Sequence, residues 1–187
     1  MKHKHRNMGY KYLILGMIMQ LACLPVFSQS SSWVYGYQLS QLQADFGQGV
    51  QIVSPSFLKD AVILKLNASQ RFLDYNYEGR NKWSDFYTFS AGLANRPAMI
   101  SDKIGLYGGG GVMMILPNKE FSSVKQEWAG YGLFGFNFYF DPGFSYFIEA
   151  GSVGSGARAE ESDNERIYAN GFFFQVGFKI HFVSMKE

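Results

Sequence analysis

Between positions 168 and 182 the chain alternates apolar with small or polar residues at a period of two. Phe172, Phe174, Val176, Phe178, Ile180 and Phe182 form one face. Gly171, Gln175, Gly177, Lys179 and His181 form the other, with Phe173 the exception. Successive side chains of a strand point to opposite sides, so this segment presents one greasy surface and one polar surface. The same alternation, bounded by turn residues, predicts strands at 33–41, 46–54, 61–73, 86–95, 104–116, 128–140, 144–155 and 167–182. Alternation is weakest over 39–48, so the first two strands are the least well defined. The nearest helical pattern, at 39–46, is short and uncapped. The fold class is therefore all-β.

The connections alternate in length. Short turns are expected at 55–59, 96–102 and 141–143, and long polar loops at 74–85, 118–127 and 156–166. An even set of antiparallel strands with short turns at one end and long loops at the other describes an up-and-down transmembrane β-barrel. A soluble barrel with its apolar face inward is the rival. Charge placement separates the two. Charged residues make up 17% of the chain, against about 25% in soluble domains. The sixth strand carries Phe134, Phe136, Phe138 and Phe140 against Gly135, Asn137 and Tyr139, with no charge between them. An inward phenylalanine ladder would leave glycine and tyrosine facing water; a lipid-facing ladder removes that conflict. Trp128, Tyr87, Tyr146, Tyr168 and Phe182 fall near strand ends, where aromatic girdles are expected.

The N-terminus changes the charge and cysteine picture. Lys2, Lys4, Arg6 and Lys11 precede an apolar run at 12–26, and Val26-Phe27-Ser28 offers a cleavage site before Gln29. Residues 1–28 therefore read as a secretory signal peptide and residues 29–187 as one barrel domain. A lipoprotein anchor at Cys23 is a rival reading, disfavoured by Gln20 where a lipobox wants leucine. Removing the four basic residues lowers 17 to 13 against 15 acidic residues, so the net charge falls from +2 to −2. No nucleic-acid partner follows from such a chain. The only cysteine leaves too, so no disulfide is expected.

The signal peptide, the eight alternating strands, the long polar loops and the Phe182-terminated last strand together resemble the small OmpA/OmpX-type outer-membrane barrels of Gram-negative bacteria. The resemblance spans 33–182 and is architectural; it identifies no subfamily. The tail Val183-Ser184-Met185-Lys186-Glu187 departs from the pattern by running past the final aromatic. The resemblance implies a compact, porin-like barrel in the outer membrane, its interior filled by side chains. It also implies contact with outer-membrane lipid, lipopolysaccharide and the barrel-assembly machinery, and leaves room for a surface partner.

Taking the apolar set as outward places Lys65, Asn67, Ser69 and Arg71 inside, with Gln51, Glu149, Gln175 and Lys179. Isolated charges in such an interior are costly, so pairing is expected, with Glu149–Lys179 the natural pair on adjacent strands. The cluster Lys65, Asn67, Arg71, Glu149, Gln175 and Lys179 is then either a plug or the lining of a narrow channel for ions or small solutes. Tyr75, Tyr77 and Trp83 stand among charges in a long loop, as interface anchors or as contacts for a polysaccharide or protein. Gly108-Gly109-Gly110-Gly111 lacks the Lys-Ser/Thr and the helix of a phosphate loop. Catalysis is not expected. The mature chain has one histidine, His181, and lacks the His-x-Ser run of small-barrel esterases; a lipid A-modifying hydrolase or acyltransferase stays the minor alternative. With one histidine and no cysteine, no metal site or cofactor is expected. What remains is a structural or surface-interaction role through the loops.

Overall fold

The computed structural model describes residues 32–43, 45–163 and 165–182. The signal peptide read at 1–28 and the tail 183–187 lie outside them. Nine strands follow in order: β1 (Val34–Leu42), β2 (Asp45–Val53), β3 (Val62–Tyr77), β4 (Arg80–Asn95), β5 (Ala98–Ser101), β6 (Ile104–Leu116), β7 (Glu127–Asp141), β8 (Phe144–Ser155) and β9 (Gly171–His181). Eight of them form the wall. Each pairs antiparallel with its chain neighbours, and β1 pairs with β9 to close the ring. The short β5 continues β4 along the same edge of β6, since Ala94 pairs with Gly109 and Ala98 with Leu106. Arg96-Pro97 interrupts the two because proline has no N–H for the ladder.

The expected strands are present, but their ends differ at the looped end. Residues 74–85 are not a long loop. They carry β3 and β4 on to a tight hairpin whose last pair is Tyr77 with Arg80. Glu78 and Gly79 take φ of +52° and +70°, the two left-handed residues that a two-residue turn needs to match strand twist. The last strand starts at Gly171 instead of 167, so Tyr168 lies in the loop before it.

The wall faces are those that the alternation implies. Phe134, Phe140, Phe172, Phe174, Val176 and Ile180 are exposed on the outside, whereas Lys65, Arg71, Glu149 and Lys179 are buried inside. Trp128, Tyr87, Tyr146 and Phe182 stand exposed towards the ends of the wall. Tyr168 does not join them; it is buried within the barrel mouth.

Small residues on the inner face make room for large ones. A Cβ on Gly135 would lie 2.7 Å from Glu149 Cγ and 2.9 Å from the Tyr107 ring. One on Gly177 would lie 2.7 Å from the Phe147 ring. The Gly108–Gly111 run follows the same rule on one side. Gly111 pairs with Gly92, and the Tyr131 hydroxyl occupies the space beside Gly92. Phe173, the odd aromatic of β9, turns inward and fills the space left by Gly151.

Candidate functional site

Side chains fill the lumen, and Glu149 is fully enclosed among them. Glu149 sits on β8 with no exposed surface. Strand register sets its neighbours: Gly135 faces it from β7 and Gln175 from β9. Its carboxylate accepts from Lys65 Nζ, Tyr107 Oη and Gln175 Nε2, and Lys65 is its ion-pair partner. Lys65 lies on β3, so this pair crosses the lumen between strands that never touch in the wall. A fully desolvated carboxylate with several donors is the arrangement that makes a buried charge tolerable.

The expected Glu149–Lys179 pair is not formed. Register is the reason: Lys179 lies opposite Ser145, whereas Gln175 lies opposite Glu149, so the lysine sits further along β9 towards the short-turn end. Its ammonium donates to Asn137 Oδ1 at 2.9 Å and to Tyr107 Oη at 3.4 Å, over the rings of Tyr107 and Phe147. Tyr107 thus accepts from Lys179 and donates to Glu149, linking the two charges through one hydroxyl. Tyr107 was absent from the sequence-based cluster. Its signal was phase, because it shares the odd positions of Gly105, Gly109 and Gly111 and so points inward.

Arg71 lies towards the looped end, donating to Ser40 Oγ at 3.0 Å and to the Asp45 carbonyl at 2.9 Å. Asn67 is half-buried and donates to Ser90 Oγ at 3.0 Å. Between Arg71 and Gln175 lies a polar cavity of about 40 Å³, with space for a few water molecules. Gln38 Oε1, Asn67 Oδ1 and Arg71 Nε belong to residues lining it and have no protein partner.

The layer at the looped end is apolar. Phe121 and Tyr168 come from the two long loops and pack edge-on at 5.1 Å, with Phe86 5.2 Å from Tyr168. Leu42, Leu73, Ile115, Val153 and Phe173 complete the cluster. Tyr75 belongs here too, 5.8 Å from Phe121, so it is no exposed loop contact. Tyr77 is half-buried under Lys82, whose ammonium sits 4.1 Å from its ring centre, and Trp83 alone of the three stands well exposed. Burial pushes the Tyr168 hydroxyl up to about 12, so it stays protonated.

The loop expected at 156–166, whose charges suggest an exposed segment, is tied down over the mouth. Ala157, Ala159 and Ser162 are buried. Asp163 accepts the N–H groups of Glu78 and Gly79, Glu161 N–H donates to Phe121 O at 3.1 Å, and Arg166 donates to Asp74 O at 2.5 Å. These bonds bind the last loop to the β3–β4 hairpin and to the 117–126 loop. The result is a lid whose inner surface is the aromatic cluster.

At the opposite end, Ser145 Oγ lies 2.8 Å from His181 Nε2. A nucleophilic serine needs such a base, but also access to substrate and an acid to orient the ring. Ser145 has no exposed surface, and among the described residues no carboxylate bonds to His181.

No protein-family model matches this sequence, and no curated protein does. The backbone does match solved outer-membrane barrels. The N-terminal β-barrel domain of Pseudomonas aeruginosa OprF superposes with a TM-score of 0.58 at 14% identity, covering 82% of this chain and 100% of that one. Yersinia pestis Ail in a phospholipid nanodisc gives 0.48 at 14% identity, covering 82% and 100%. OprG from P. aeruginosa gives 0.47 at 12% identity, covering 83% and 98%. At this identity the OprF likeness establishes the fold: a closed, up-and-down, eight-stranded barrel of the outer-membrane kind.

Proposed function

We propose that this chain is a small integral outer-membrane protein, held by its apolar belt, that acts through its looped end while its interior stays plugged. One observation carries the reading: the buried charges lie within the ring and a belt of apolar side chains lies exposed on its outside. Phe134, Val50, Leu93 and Phe172 are each more than half exposed, while Lys65 and Glu149 are buried. Soluble monomers rarely expose contiguous apolar patches beyond a few hundred Å², and lipid is the solvent that such a surface fits. The N-terminal segment 1–28 would then direct secretion, and the end bearing the β3–β4 hairpin and the lid would face outwards.

The plug reading rests on two barriers in series, the aromatic lid and the Glu149 network. The lid packs Phe121, Tyr168 and Phe86 edge to face across the mouth, and the network spans the lumen from β3 to β8. No catalytic role is proposed, since Ser145 is sealed from substrate. The narrow-channel reading has one observation in its favour, the polar cavity between lid and network. Planar-bilayer recording on the purified protein separates the two. Silence is expected, and reproducible conductance steps from the wild-type barrel would replace the plug with the channel.

A further inference from the structure

Below the Glu149 network the lumen opens into a cavity of about 200 Å³ at the end that carries the short turns. Arg96, Lys179 and His181 line it, with Asn137, Tyr139 and Ser54, and none of its lining residues is acidic. We propose that this vestibule binds a small oxyanion, free inorganic phosphate or a carboxylate of similar size, against the Lys179 ammonium and the Arg96 guanidinium.

The argument starts from the buried charges. Among the described residues these are Asp45, Glu149, Lys65, Arg71 and Lys179, three cations against two anions. Lys65 holds the Glu149 carboxylate directly, and Arg71 is anchored on the Asp45 backbone. Lys179 is the one of the three that lines the vestibule, and it has no ion-pair partner among the described residues. Its partners, Asn137 Oδ1 and Tyr107 Oη, are both neutral, and among the described residues no carboxylate lies within ion-pair reach. An ammonium has three donors, and two are used. Uncompensated charge in such a place is costly unless a counterion or water meets it.

The vestibule supplies the rest of an oxyanion site. Arg96 stands at its rim, where its planar fork suits a phosphate or carboxylate. Its ion-pair partner among the described residues is Asp60, at 3.9 Å and outside the lining, an exposed pair that an incoming anion can exchange. Tyr139 packs beside His181, with ring centres 6.0 Å apart, and presents its hydroxyl to Asn137. The volume admits a phosphate-sized ion.

Phosphate titration of the isotopically labelled, refolded barrel at constant ionic strength, followed by NMR shifts of Asn137 and His181, tests the site. Saturable shifts are expected, weakened at least tenfold in Lys179→Met and several-fold in Arg96→Gln. Arg96→Gln changes an exposed side chain and so stays informative if Lys179→Met does not refold. A parallel arm uses short-chain phosphatidylglycerol at equal phosphate concentration. Tighter binding of that lipid than of free phosphate would overturn the proposal, as would shifts that do not saturate or that ignore both substitutions.

Discussion

Glu149→Gln is expected to lower the stability of the barrel by about 3–5 kcal/mol, the usual cost of removing one partner of a buried pair. The substitution leaves the Lys65 ammonium without a counter-charge and puts an NH₂ group either on Oε1, where Lys65 and Tyr107 donate, or on Oε2, where Gln175 donates. Lys65→Met removes the complementary charge and should also destabilise, because Glu149 then keeps only neutral donors. The double variant should be much milder than the sum, with a coupling of roughly 1–3 kcal/mol. A cycle of Glu149→Gln with Lys179→Met should couple more weakly, since that contact runs through the Tyr107 hydroxyl. Urea unfolding in lipid vesicles, read by tryptophan fluorescence, measures both cycles. Equal coupling in the two would contradict the cross-lumen assignment of Lys65.

Phe174→Arg is expected to cost about 2–4 kcal/mol in the same assay, as charged residues do near the bilayer midplane. Phe174 lies on the outer face of β9, level with Ala150 of β8 and, one strand further, Phe134 of β7. Trp83→Arg is the control, an outward aromatic on the β4 end of the hairpin, paired with Asp74 and next to Lys82. There the cost should fall to about 0–1 kcal/mol, as it does towards the interfaces. If Trp83→Arg were the worse of the two, the apolar belt would have to be moved up the wall.

The wall was legible because a period of two leaves a direct record in the sequence, and Phe134 to Phe140 and Phe172 to Phe182 show it with Phe173 the one exception. The β3–β4 hairpin was hidden by its charges. Asp74, Glu78, Arg80 and Lys82 look like a solvated loop, although Leu73, Tyr75 and Tyr77 alternate on the inward face, Trp83 stays in phase with Tyr87 and Phe89, and Glu78-Gly79 marks the turn. The lid could not be read at all from polarity. Phe121 and Tyr168 are single aromatics among charged residues, and only the closed ring brings them together over Phe86. The interior pairing failed for a geometrical reason. Adjacency along the sheet suggested Lys179 for Glu149, but a barrel lets a side chain from β3 cross the lumen, and strand spacing in sequence says nothing of that.

The central claim, that the Phe-bearing face meets lipid while the charged face is enclosed, has a direct test. In nanodiscs carrying a lipid with a spin label deep in its acyl chain, side-chain NMR signals of Phe134, Phe136, Phe174 and Val176 should broaden strongly. Signals of Tyr107, Phe147 and Met113, on the inner face, should be spared. Broadening of Tyr107 and Phe147 with Phe134 and Phe174 spared would contradict the account.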